Sequence, residues 1–285
     1  MGNILGIPRH DVKRLWYDVV GVDPVNLGIR RRKNDRMVAI VSDLHYGSLY
    51  QQPTALNSFV VDCLNANIDT LVCCGDIVDG LMYRKLHKSE RFLHNVEDYI
   101  EYVACHYPYG FKHNIFITGN HCRTLDSKCV KVYGHDFGTE LTVRRPDLTY
   151  LPGVNGTNAT YQLEHLRIHM YHGGKGHNQH TCSQNRTDRT QKICDDLLEL
   201  DMRTDILLCG HCHSTSFLPS YRGVAVAGLG CFQSATARME LVGSLPDTCS
   251  QVLYYEIKDD RACHLNVEFR YFTPAPLDVE QEYLE

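Results

Sequence analysis

Short apolar runs that stop at Gly, Asp, Asn or His recur along the chain, and longer stretches between them repeat apolar residues at helical spacing. Five such runs read as buried strands: 38–41, 70–74, 114–117, 166–171 and 207–209. Between them, 54–66 carries Leu56, Phe59, Val60, Cys63 and Leu64 on one face, and 89–105 carries Phe92, Leu93, Val96, Tyr99, Ile100 and Val103. The spacing predicts crossover helices over both, and a further helix over 188–200, as parallel strands require. Segments 159–163 and 166–171 read as a hairpin, and 223–228, 251–257 and 265–271 as strands of a second sheet. Two sheets packed face to face with helices outside is the architecture this alternation predicts. Ahead of it, residues 1–36 form a lead-in whose Leu15, Trp16 and Val19 suggest a short helix over 11–20, ended by Gly21 and Pro24. Residues 37–285 then make a single domain.

Composition narrows the class. The 285 residues are 43% hydrophobic, enough for one large core. Thirteen Cys, with no apolar stretch approaching about 18 residues, indicate a soluble cytoplasmic protein with no membrane partner. Cys73, Cys74 and Cys209 lie within predicted strands and read as small core residues. Cys209 and Cys212 have the spacing of a zinc half-site, but no second such pair accompanies them. A formal charge of −5 argues against an overall basic nucleic-acid binder. The dense basic run Arg30–Arg31–Arg32–Lys33 with Arg36 reads as a solvated lead-in or, more sharply, as a contact for phosphate backbones.

The residues just past each strand carry the candidate chemistry. The first run ends in Asp43-Leu-His45, the second in Gly75-Asp76-Ile-Val-Asp79, the third in Gly119-Asn120-His121, the fourth in His172-Gly173 and the fifth in Gly210-His211-Cys-His213. Oxygen and nitrogen donors at strand ends converge on one sheet edge, where open α/β folds keep their sites. In order and form these motifs resemble the calcineurin-like metallophosphoesterase superfamily, and most closely its small prokaryotic and phage members. The resemblance covers residues 38 to about 230 and departs at Cys122, where most of the family has Asp or Glu.

The resemblance implies an α/β four-layer αββα sandwich of two mixed sheets, and a phosphoester hydrolase with a dinuclear centre of divalent transition metals and a metal-activated water. It implies Asp76 as the bridging ligand, Asp43, His45 and His213 completing one site, and Asn120, His172 and His211 the other. A neutral amide and four imidazoles suit Mn above all, or Fe, Zn, Co or Ni, better than Ca or Mg. It further implies that His121 stays unliganded over the substrate as the catalytic acid, and that the Asp79 carboxylate orients it. The loop after His172, with Lys175, His177, His180, Arg186 and Arg189, reads either as a holder of phosphate or nucleotide or as a solvated surface segment. A cysteine phosphatase is disfavoured, because Lys128 stands where Cys122 would need a bidentate Arg. Gly80 and Cys122 replace the Arg and Glu of the protein-phosphatase branch. The expected substrate is therefore a phosphomonoester or phosphodiester, nucleotides included. A DNA nuclease is the alternative, followed by a protein phosphatase or a metal-binding module without activity.

Overall fold

The computed structural model describes residues 35–82, 85–153, 156–173, 183–200, 202–241 and 243–279, with side chains throughout except at 83–86 and 183–189. The helix expected over 11–20 and the run at 30–33 lie outside the described residues. In chain order come β1 (Arg36–Val41), α1 (Pro53–Asn65), β2 (Thr70–Cys74), α2 (Lys85–Ser89), α3 (Val96–His106) and β3 (His113–Ile117). There follow α4 (Arg123–Tyr133), α5 (Phe137–Arg144), β4 (Leu148–Tyr150), β5 (Asn158–Leu163) and β6 (Leu166–Tyr171). The remaining elements are α6 (Ser183–Glu199), β7 (Ile206–Cys209), β8 (Ser216–Tyr221), β9 (Val224–Gly228), α7 (Ala237–Leu241), β10 (Cys249–Lys258) and β11 (Arg261–Tyr271).

Two mixed sheets form, ordered β11-β10-β1-β2-β3-β4 and β5-β6-β7-β9-β8. Alternation along β1 explains how they stack. Val38 and Ile40 join Val72, Cys74, Ile115 and Ile117 in a core shared with Ile168, Met170, Ile206, Leu208, Ala225 and Ala227 of the other sheet. Ala39 and Val41 face the opposite way, onto Phe59 and Val60 of α1 and Tyr99, Ile100 and Val103 of α3. Burial on both faces is why these central strands read as unbroken apolar runs. The outer face of the second sheet packs Leu207, Val224 and Val226 against Ile193, Cys194 and Leu197 of α6. Helix, sheet, sheet, helix is thus the layer order.

Two expectations need correcting. Segments 251–257 and 265–271 do not belong to the second sheet; β10 pairs antiparallel with β1, from Arg36↔Tyr255 to Ile40↔Gln251, and β11 pairs with β10. Alternating patterns predict a strand but do not say which edge it joins, and β1 offers a free edge on the side away from β2. The helix expected over 89–105 begins only at Val96, as α3, because Asn95 caps it there by accepting from the Asp98 N–H at 2.8 Å, while the separate α2 ends at Ser89. Phe92 and Leu93 reach the core from the intervening loop. Among the described residues, no helix is long and apolar enough to cross a membrane.

Candidate metal centre

Strands β1, β2 and β3 of one sheet and β6 and β7 of the other end near one another, and the chain leaves several of them through left-handed backbone. Asp43 (φ 53°), His45 (φ 48°), Asp76 (φ 44°), His211 (φ 80°) and His213 (φ 51°) all adopt it. Such conformations cost a non-glycine residue about 1–3 kcal/mol each, and they persist only where surrounding bonds impose them. Those bonds are present. The Asp43 and His45 N–H groups donate to Gly75 and Asp76 carbonyls at 2.9 and 3.0 Å, the His211 N–H donates to Asp43 Oδ2 at 2.9 Å, and the Ser42 hydroxyl donates to the same oxygen at 2.5 Å.

The turns gather two triads, Asp43–His45–His213 and Asp76–His172–His211, with the donor atoms of each within 4.8 Å of one another. In the first, His213 Nε2 lies 3.2 Å from Asp43 Oδ1 and 3.1 Å from His45 Nε2. In the second, His172 Nε2 lies 2.9 Å from Asp76 Oδ2. Asp43 Oδ1 is also 3.9 Å from His172 Nε2, so the triads adjoin. Asn120 adds its Oδ1, which is buried and accepts no hydrogen bond. The His172 Nδ1–H donates to the Cys74 carbonyl at 2.7 Å, which leaves Nε2 aimed at the carboxylates, ready to bind an ion once its proton is lost. A buried amide oxygen without a donor, on the residue between Gly119 and His121, both of which meet the Asp76 carboxylate, joins two Asp/His triads in a donor set that divalent ions would satisfy.

Charge tells the same story. Burial favours the neutral acid at Asp43, but His213 and His172 hold its carboxyl well below the usual range, and His172 and His121 do the same for Asp76. Burial opposes a charged His45, yet Asp43 and Asp79 push it up to about 10; against the same opposition, Asp76 and Asp43 push His172 up to about 9. His211 goes the other way, down to about 3, through burial and its neighbour His172. Without ions, protons on His45 and His172 neutralise the two central carboxylates. An ion entering must displace them.

His121 sits at the margin, 15% exposed, with its ring edge-on to His45 at 4.7 Å. Its main-chain N–H donates to Asp76 Oδ1 at 2.8 Å, and its Nδ1–H donates to the Asp79 carbonyl at 2.7 Å. The Asp79 carboxylate was expected to make that second bond. Instead its Oδ1 lies 3.2 Å from His45 Nδ1 and 3.7 Å from His121 Nδ1. One residue therefore steers two histidines, by carboxylate and by backbone.

Ser42 and Thr124, which brace the centre, carry no sequence signal. Ser42 braces Asp43; the Thr124 hydroxyl donates to the His121 carbonyl at 2.6 Å and accepts from the Leu81 N–H at 2.7 Å. A Cβ on Gly80 would collide with that carbonyl and that hydroxyl, so the turn excludes a side chain there. Cys122 is fully buried, and burial with Asp76 nearby raises its thiol well above the ordinary range, which disfavours a thiolate there. Lys175, His177 and His180 lie outside the described residues, as do the side chains of Arg186 and Arg189.

The family profile of calcineurin-like phosphoesterases matches residues 37–232. The DNA polymerase II small subunit of Methanothermobacter thermautotrophicus is 24% identical over 278 residues, covering 87% of this chain, and the chain spans 54% of that relative's length. Among solved structures, a predicted phosphoesterase from Streptococcus pneumoniae TIGR4 aligns at 14% identity and TM-score 0.43, over 84% of this chain and 91% of its own. Vacuolar Protein Sorting 29 from Cryptosporidium parvum aligns at 15% identity and TM-score 0.40, over 85% and 100%. Because the profile runs from β1 past the His211–His213 turn and takes in well over half of the sequence, the chain belongs to the calcineurin-like phosphoesterase family.

Proposed function

We propose that the chain hydrolyses phosphomonoesters or phosphodiesters, nucleotides included, with two divalent transition-metal ions. The observation that carries this reading is the convergence of two adjoining Asp/His triads, with a buried, donor-less amide oxygen on Asn120, whose neighbours Gly119 and His121 both meet Asp76. In the proposed assignment Asp43, His45 and His213 hold one ion, Asn120, His172 and His211 the other, and Asp76 is shared. Ions of the Mn, Fe, Zn, Co and Ni group would supply charge neutralisation and an acidified water. The rest falls to the chain. His121, its Nδ1 tied to the Asp79 carbonyl, has Nε2 left to give a proton to the departing oxygen. Asp79 holds His121 by its backbone and His45 by its carboxylate. A nucleic-acid substrate is the second reading, favoured by the relative named as a DNA polymerase subunit.

A metal-by-substrate matrix tests both readings. Mn, Fe, Co, Ni, Zn and Mg would be assayed against a monoester, a diester, cyclic nucleotides, single- and double-stranded DNA and a phosphoserine peptide. The expected result is about two ions per chain, diesters or nucleotides turned over faster than the phosphopeptide, and loss of both ions in Asp76→Ala. Full metal occupancy with no turnover of any substrate would reduce the protein to a binding module. Salt-sensitive cleavage of linear duplex DNA as the fastest reaction would promote the nuclease.

A further inference from the structure

Far along the chain from the central ligands, the β10–β11 hairpin breaks strict alternation. Ala262 and Leu265 both pack against the core between the sheets, as do Ile257 and Phe269. Residues three apart on a regular strand point to opposite faces, so something between them takes up the extra position. The pairing register slips between Tyr254 and Glu256, and His264 adopts φ 53° in mid-strand. Such a bulge re-aims side chains. Cys263 and His264 both turn away from the core, onto the face where Glu256, paired with Cys263, also points. A thiol, an imidazole and a carboxylate, their donor atoms all within 4.8 Å of one another, result.

We propose that Glu256, Cys263 and His264 form a second metal site, distinct from the central one, which takes a single thiophilic divalent ion such as Zn²⁺ or Co²⁺. Donor chemistry sets the ion class: sulfur and imidazole with one carboxylate suit Zn²⁺ or Co²⁺ and offer Ca²⁺ or Mg²⁺ too few oxygens. With ligand bonds of about 2.0–2.3 Å, a tetrahedral ion spans this group after small side-chain movements. Glu256 and Cys263 are half-buried and His264 is exposed, so the ion would enter from solvent and keep a water in the fourth position. The bulge is then a device that lets two consecutive residues act as ligands.

The proposed central ligands include no sulfur, and that gives the test its contrast. Metal-stripped full-length protein would be titrated with Co²⁺ while near-ultraviolet absorbance is followed for a thiolate-to-cobalt charge-transfer band. The band is expected in the wild type and in Asp76→Asn, and absent in Cys263→Ser, with circular dichroism unchanged. His264→Ala should weaken the Co²⁺ affinity reported by the band by about tenfold or more, since even residues that only orient a ligand are worth that much. Phosphoesterase activity should be untouched by Cys263→Ser, so this proposal and the hydrolase reading fail separately. No band in the wild type, a band that survives Cys263→Ser, or one lost in Asp76→Asn would each overturn the proposal.

Discussion

His121 and Asp79 show how little separates a proposed catalytic group from a structural one. If His121 gives the proton, His121→Asn should keep metal content and fold while lowering kcat by about 10²- to 10⁴-fold for esters with poor leaving groups. A nitrophenyl ester, whose leaving group departs unprotonated, should barely respond. Asp79→Asn should behave differently, because the bond that holds His121 comes from the main chain at 2.7 Å and survives the change. The altered carboxylate faces His45, so the expected loss is in metal affinity, about 10- to 100-fold, with kcat at saturating metal largely kept. A kcat loss matching that of His121→Asn at unchanged affinity would show that the carboxylate orients the acid after all.

At the scale of elements, the strand-end motifs were legible because a buried strand, a turn and a donor follow one another in sequence. The strand runs and the stripe of α1 are equally local. Sheet membership was not legible: nothing within 251–257 states that its partner is β1. Nor did α4 and α5 declare themselves, since Val130, Val132 and Val143 are more than half exposed and blur the apolar stripe. The orientation of Asp79 was hidden too, for it depends on where β1 and β3 bring His45 and His121. Two glycines separate generic strain from site geometry. Gly134 closes α4 at φ 87° with open space around it, so Gly134→Ala should cost only about 1–2 kcal/mol and leave metal binding alone. Gly119 lies where any Cβ would strike the Asp76 carboxylate, so Gly119→Ala should abolish metal binding. Thermal melts and elemental analysis of the two variants check the contrast.

Across the whole molecule, the stripped and metal-loaded proteins should diverge as pH rises. His45, raised to about 10, and His172, raised to about 9, must both lose protons to an entering ion. Each ion displaces one of these protons, so the affinity for each should climb by up to about tenfold per pH unit from neutrality and flatten near pH 9 for the His172 site and near pH 10 for the His45 site. For the stripped protein the sign is opposite: raised imidazole pKa values stabilise the fold fully below about pH 6.5, and that contribution is lost through pH 9 and 10. Competition titrations and melts from pH 7 to 10 read both trends, and a pH-independent affinity would contradict them. The pairing of β1 with β10 reaches further still. A ribosome delivers β2 soon after β1, but the strand that covers the opposite edge of β1 is β10, which follows all of β2 to β9 in the chain. Until β10 pairs with it, β1 is an apolar strand with one open edge. The Phe232 N–H that fastens the Asp43 carbonyl comes from a similarly distant stretch, so the turn after β1 is held by residues far along the chain.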